Sequence, residues 1–582
     1  MLDIRYDQRG NKLVLTNRGE STPRPILRWS IALGVFVFVC ALAMVAPVST
    51  TESELTPSWY SIVPALLAIV AAIASGRIIP SLIGGIVVGG VLIAAPNSLA
   101  LSPITGPWEA LLLARDSVAD LGNVRVLVFV TLILTTITII GASGGLLGLV
   151  RLLERFARGR RSTQFTTAVM GLVLFIDDYA NAMIVGSTMR SPSDAHRISR
   201  EKLAFIVDAT SAPIAGLAFV STWVGYEIGL FDDLSKSLVL GREGIELLFQ
   251  ALPYRFYCIF LLAFVFVQIA LRREFGPMRH AEQEALEDSE TTHGDSSPDI
   301  IVSTKIASGA AALLPIGTLL GVVLGGVWVD GGGPSLLRAD VFSLFRVTDW
   351  QSVVANAGSF SMWLVIGGIA GLIMALICAR QFGGLDASAL ATATGAGLRR
   401  SLFPCTVLVC AWSLKNACKG LGTDDYLVAL LADQVAPQYF AAIVFLLASA
   451  TAFATGTSYG TMGILLPTAT PVAYALEGGE LGVVTVATLA AVLDGAIFGD
   501  HCSPISDTTI MSSAGTGCDH VQHVKTQLPY ALSVAGIALV CGYFVSGVGV
   551  SPLVGYGLGL AAVAAVLMLF GRRLDDTPER VV

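Results

Sequence analysis

The chain has 582 residues, of which 54% are hydrophobic and only 14% are charged, whereas soluble proteins carry about 25% charged residues. That balance excludes a soluble globular protein. The formal net charge of −7 says little about partners, because much of the acid lies in one stretch, Glu274–Asp299. Apolar runs near the roughly 20 residues that cross a bilayer recur from end to end, so the chain reads as an all-α polytopic membrane protein.

Met1–Arg28 is polar and mixed in charge, without the features of a cleavable signal. About 12 transmembrane helices are expected, near 27–47, 60–76, 78–96, 124–150, 203–226, 254–272, 306–329, 353–379, 402–430, 481–516, 528–547 and 550–570. The expected organisation is a cytoplasmic tail (1–28), N-terminal helices (29–123), a first transport repeat (124–272) and an acidic cytoplasmic loop (273–305). Connecting helices (306–400), a second repeat (401–547) and a last helix with a cytoplasmic tail (548–582) complete it. Glu274–Asp299 reads as a solvated, flexible tether.

Two apolar segments, 163–189 and 437–475, do not behave as simple spans. Arg151, Arg155, Arg158, Arg160 and Arg161 precede the first, and Arg190, Arg197, Arg200 and Lys202 follow it. Basic loops mark the cytoplasmic side, so strongly basic flanks at both ends point to a re-entrant helical hairpin that enters and leaves there. Segment 437–475 has no Lys or Arg within or close to it, as expected of a hairpin dipping in from outside. Counting both as hairpins puts Arg77, Arg272–Arg273, Arg380, Arg399–Arg400, Arg572–Arg573 and both termini on the cytoplasmic side.

An internal repeat agrees. Phe175–Gly186 (FIDDYANAMIVG) aligns with Phe453–Ile464 (FATGTSYGTMGI) at an offset of 278, and Ser211–Ile214 (SAPI) with Cys502–Ile505 (CSPI) at 291. Span 124–150 should run inward and its counterpart 402–430 outward. Inverted repeats with proline-broken helices are the arrangement of secondary carriers with a site near the midplane.

The chemistry should sit at the breaks. Asp177 and Asp178 stand side by side in an apolar segment, where each ionised carboxylate costs about 2.5–3.5 kcal/mol unless a cation, a proton or a wet cavity compensates it. They point to cation movement and are the expected ligands of a small hard cation such as sodium. Asn181, Asp208, Thr210 and Ser211 from the first repeat, and Thr455, Thr457, Ser458, Asp500, His501, Ser503, Ser506 and Asp507 from the second, are expected to complete an oxygen-rich site, as a hard cation requires. The bland alternatives are a hairpin tip in a wet vestibule for the aspartate pair and helix capping around Pro504 for Asp500, His501 and Asp507. Asp494 reads as a buried carboxylate paired with a neighbour. Lys415 stands about 18 Å along its expected helix and is either a counter-charge for the aspartate pair or a residue near an early helix end at Gly420–Gly422.

Nine cysteines without a CxxC pair indicate neither a zinc site nor a disulfide framework. HExxH does not occur and no Cys/His metal spacing appears, so the signature of a membrane-embedded zinc hydrolase is missing.

Phe175–Arg190, Ser211–Gly229, Thr455–Pro467 and Gly499–Tyr530 resemble the NhaC-type sodium/proton antiporter family, and with their spans cover most of 124–547. The resemblance implies a secondary carrier, not an enzyme, that exchanges sodium for protons by alternating access. It needs no cofactor; its partners are the lipid bilayer, sodium ions and protons, with no nucleic acid. Similar proteins exchange organic acids such as malate and lactate, or amino acids, so an organic-solute exchanger coupled to sodium or protons stays open. The expected location is the cytoplasmic (inner) cell membrane, multi-pass; a homodimer also stays open.

Overall fold

The computed structural model describes residues 2–6, 13–17, 59–75, 77–95, 101–218, 221–287, 307–357, 360–423, 426 and 435–574. The span expected at 27–47 lies outside them. Leu2–Tyr6 (β1) and Leu13–Asn17 (β2) pair antiparallel, Leu2 opposite Asn17 and Tyr6 opposite Leu13. The described remainder is helical almost throughout.

The N-terminal helices are Val63–Ser75 (α1), Ile78–Ala94 (α2), Ser102–Ala119 (α3), Leu121–Ala142 (α4) and Gly145–Glu154 (α5). Apolar runs do not reveal α3, which carries Glu109, Arg115 and Asp116, yet it packs against α2. Next comes the first helical hairpin, Arg160–Val173 (α6) and Asp178–Ala195 (α7), followed by Arg200–Ala209 (α8), the short Ala212–Ala215 (α9) and Thr222–Ser237 (α10). Gly244–Ala251 (α11) and Phe256–Leu271 (α12) meet at a bend of 49°. Arg273–Glu274 (β3) and Gly276–Glu287 (α13) follow.

The middle comprises Ala310–Asp330 (α14), Gly333–Ala339 (α15), Val347–Asn356 (α16), Phe360–Gln381 (α17) and the 34-residue Ala387–Gly420 (α18). The second hairpin is Pro437–Thr455 (α19) and Ser458–Leu476 (α20), then Val483–Cys502 (α21) and Asp507–Thr516 (α22). His520–Gly547 (α23), Pro552–Leu569 (α24) and Arg572–Arg573 (β4) end the described chain. Among the described residues, seven helices are long and apolar enough to cross a membrane, or eight if the bent pair α11–α12 is one span. The protein is an integral membrane protein.

Every residue of α21 from Thr485 to Cys502 is buried, as a helix apolar on all sides must be. Around it pack α19, α20, α11, α12 and α23. Cys258, Cys378, Cys405, Cys410, Cys502, Cys518 and Cys541 are free thiols. Asp494 on α21 is paired, as expected of it: Arg255 Nε donates to it at 2.8 Å.

Two expectations need correction. Glu274–Glu287 is not a free tether. Glu274 lies 2.9 Å from Lys202 Nζ and accepts from Tyr530 Oη at 2.5 Å. Glu282 pairs with Arg160 at 2.5 Å and accepts from the Ser199 amide at 2.8 Å. Both ends of the α6–α7 hairpin therefore meet α13; residues 288–299 lie outside the described set. The helix expected at 402–430 begins 15 residues earlier, capped by the Asp386 side chain on the Ala389 amide. The boundary drawn at 400/401 thus falls inside α18, and Arg399–Arg400 are helix residues rather than loop residues.

Elements of the two expected repeats meet where α7 crosses α22. A Cβ on Gly515 would stand 2.5 Å from the Ala182 carbonyl oxygen, so only glycine allows this approach. Arg190 donates from Nε to the Gly515 carbonyl at 2.7 Å and from Nη2 to that of Ala514 at 2.5 Å, placing a cation at the helix C-terminus. Gly515→Ala is expected to destabilise the protein by about 1–3 kcal/mol, read as a lower thermal midpoint in detergent. An unchanged midpoint would show that the crossing yields freely.

Candidate cation site

Both hairpin breaks are built alike. Asp177 caps α7 by accepting from the Ala180 amide at 2.7 Å, and Thr457 caps α20 by accepting from the Gly460 amide at 3.4 Å. Their backbones nearly coincide, φ −147°, ψ 121° and φ −151°, ψ 125°. Matched on these caps, Asp177 corresponds to Thr457, Asp178 to Ser458 and Tyr179 to Tyr459, an offset of 280 rather than 278. Gly456, at φ +65°, makes the turn that brings Thr457 round.

Asp177 and Asp178 are not equivalent. Besides its cap bond, Asp177 accepts from Arg400 Nη2 on α18 with both oxygens, at 2.9 and 2.8 Å. Arg400 also lies over the Tyr179 ring, 4.9 Å from its centroid. Asp178 is left out of this pair. It is buried, and among the described residues its Oδ2 has no hydrogen-bond partner.

Three more buried oxygens without partners belong to the same region. Asn181 shares a face of α7 with Asp178, three residues on. Its Nδ2 donates to the carbonyls of Gly171 at 2.8 Å and Thr210 at 2.9 Å, leaving Oδ1 unpaired. The Thr222 amide at the start of α10 donates to the Ile176 carbonyl at 3.0 Å, and its Oγ1 is unpaired. Ser458 Oγ donates to Asp500 Oδ2 at 2.7 Å, leaving Asp500 Oδ1 unpaired. Asp177 and Arg400 act most strongly on the Asp178 carboxylate, Trp223 lies beside it, and Asp500 acts on it more weakly.

The other expected site residues are engaged elsewhere. Asp208 accepts from Ser512 Oγ at 3.2 Å, His523 Nε2 at 3.2 Å and Gln527 Nε2 at 2.8 Å. The hydroxyls of Thr210 and Ser211 bond the Ile206 and Asp208 carbonyls at 2.7 and 2.9 Å. Thr455 bonds the Thr451 carbonyl at 2.8 Å, Ser503 that of Phe453 at 2.7 Å, and Ser506 caps α22 beside Thr508 Oγ1 at 2.9 Å. His501 Nδ1 lies 3.3 Å from Tyr257 Oη. Asp507 is exposed, 3.5 Å from Tyr179 Oη, and stands outside the buried cluster.

Lys415 is not the counter-charge of the aspartate pair. Its Nζ donates to Asp233 on α10 at 2.6 Å, and α18 ends at Gly420 as the alternative reading had it. Arg400 holds the position next to Asp177. A helix begun at 402 leaves Arg400 in a cytoplasmic loop, away from Asp177. His523 and Gln527 lie within Gly499–Tyr530, and only the fold brings them to Asp208. A cavity of about 360 Å³ borders the first break; Asp177 is the charged residue among apolar side chains that include Ile137, Phe175 and Leu313.

The profile described as the Na+/H+ antiporter family matches residues 214–548. An uncharacterised protein of Haemophilus influenzae is 31% identical over 522 residues, 89% of this chain and 96% of its own. A malate-2H(+)/Na(+)-lactate antiporter of Bacillus subtilis is 28% identical over 155 residues, 26% of this chain and 32% of its own. Among solved structures, the YdaH transporter of Alcanivorax borkumensis aligns with a TM-score of 0.51 at 15% identity, covering 90% of this chain and 99% of that one. This last likeness is one of fold.

Proposed function

The chain belongs to the Na+/H+ antiporter family, and from that premise we propose that it exchanges sodium for protons across the cytoplasmic membrane by alternating access. Inward proton flow would drive sodium out. The observation that carries this reading is the group of four buried, unpartnered oxygens: Asp178 Oδ2, Asn181 Oδ1, Thr222 Oγ1 and Asp500 Oδ1. A buried carboxylate without a partner is costly, and a small hard cation held by oxygens relieves that cost. Asp177 is already balanced by Arg400, so Asp178 carries the site charge, and a positive ion or proton there neutralises it.

In this reading α6–α7 and α19–α20 are re-entrant hairpins of inverted repeats. The meeting of both ends of α6–α7 with α13 supports entry and exit on one side. The pairing of β3 with β4, Arg273 opposite Arg573, puts the basic ends of α12 and α24 on one side. We assign that side, and both termini, to the cytoplasm by the basic-loop rule. Coupling requires that the inward and outward states differ in ion affinity.

The test is purified protein in liposomes with a pH gradient and a pH-sensitive dye inside. Sodium alone should dissipate the gradient, and potassium should not. The Bacillus subtilis relative supports a second reading, an organic-acid exchanger. A response to sodium that appears only with malate or lactate present would replace the first reading by the second. Against that second reading, Lys415, the cation best suited to a carboxylate pocket, is neutralised by Asp233.

A further inference from the structure

A second buried charge cluster lies apart from Asp178. Arg255 at the start of α12 binds Asp494 on α21 tightly, Nε to Oδ1 at 2.8 Å. Asp494 Oδ2 also accepts from the Tyr257 amide at 2.7 Å and from Tyr543 Oη at 2.9 Å. Glu227 on α10 is fully buried. Among the described residues, its ion-pair partner is Arg255 Nη1 at 3.7 Å, and neither of its carboxylate oxygens has a hydrogen-bond partner. All three side chains are 0% exposed.

One guanidinium cannot balance two carboxylates. Asp494 has three donors, whereas Glu227 has only the longer ion pair to Arg255 Nη1, so Arg255 is held chiefly by Asp494 and Glu227 is the less compensated group. An ionised carboxylate in that position is strongly disfavoured. A metal ion on the same oxygens would face the guanidinium at close range, whereas a proton removes the charge and leaves the Arg255–Asp494 pair intact. Arg255 and Asp494 are the charged groups that face Glu227; Tyr257, Cys258 and Tyr543 surround their pair. Lys415 on α18 faces α10 six residues further along and is occupied by Asp233.

Glu227 is also placed to communicate with the candidate cation site. Trp223, four residues earlier on α10, neighbours Asp178, and residues four apart share a helix face. Tyr226 Oη donates to the Tyr459 carbonyl of α20 at 2.5 Å, so the same turn of α10 touches both hairpins.

Resting on the sodium/proton reading, we propose that Glu227 is the proton-binding carboxylate of the exchange, distinct from the sodium site at Asp178. A proton bound by Glu227 and a sodium ion bound by Asp178 each add one positive charge beside the same helix, α10, whose Trp223 neighbours Asp178 four residues from Glu227. Each therefore disfavours the other, which is the requirement for antiport rather than symport.

The experiment compares two fluxes in proteoliposomes, radioactive sodium-for-sodium exchange without a pH gradient and sodium-driven proton movement. In Glu227→Gln the proton signal should fall at least about tenfold while sodium-for-sodium exchange continues, though slowed. Asp494→Asn removes the competing carboxylate and leaves Arg255 to pair with Glu227, so its proton signal should appear only at lower pH, shifted by about one unit or more. A Glu227→Gln protein with its proton signal intact overturns the proposal. If Glu227→Gln does not fold, an Asp494→Asn pH profile identical to wild type overturns it as well. Wild-type protein that exchanges sodium yet moves no protons would instead overturn the antiporter reading itself.

Discussion

Asp178→Asn is expected to abolish sodium-driven proton movement, while Asp177→Asn retains it. The two residues are adjacent and both buried, but their bonds differ. Asp177 accepts three hydrogen bonds, one from the Ala180 amide and two from Arg400, and Asn would keep the cap, since it serves as well as Asp there. Asp178 retains an oxygen with no partner. If that oxygen is a sodium ligand, replacing the carboxylate by an amide removes a charge-assisted interaction of about 3 kcal/mol, or about a hundredfold in sodium affinity. Sodium titration of the dye response in both variants separates the roles. Loss in Asp177→Asn with retention in Asp178→Asn would reverse the assignment.

The second large effect is on stability. Arg400→Gln strands the Asp177 carboxylate, which is only 2% exposed. Breaking a buried ion pair costs about 3–5 kcal/mol, but the Arg400 side chain is 30% exposed and water screens part of that. About 2 kcal/mol of destabilisation is expected, measured as a lower thermal midpoint. The double variant Asp177→Asn/Arg400→Gln should recover much of it, because neither partner is then left alone. A double variant no more stable than Arg400→Gln would mean that the arginine acts by packing on Tyr179 and not through its charge.

The helix breaks within 163–189 and 437–475 were legible in the sequence because their signals are local. The polar breaks at FIDDYAN and TGTSYG interrupt apolar runs, and each supplies a cap for the helix that follows. Helix α3 was not legible, since Glu109, Arg115 and Asp116 lower its apolarity below that of a span. The early start of α18 was hidden because Ala387–Gly397 is rich in alanine, threonine and glycine and reads as only weakly apolar. The acidic stretch after α12 read as solvated because nothing local announces that Glu274 and Glu282 find Lys202 and Arg160 more than 70 residues away.

The sequence by itself determined that this is a helical membrane protein, where its chain breaks, and which polar residues sit among apolar ones. It also carried the family likeness. Those properties follow from composition, periodicity and short motifs. Which of these polar residues are satisfied was decided only by the tertiary structure. Asp177 and Asp178 are the same residue type one position apart, yet Arg400, 223 residues along the chain from Asp177, reaches only the first. Glu227 looks no different from any lone acid in an apolar helix until Arg255 is seen committed to Asp494. Burial sets a cost on every charge, but only long-range packing decides which of them has a partner.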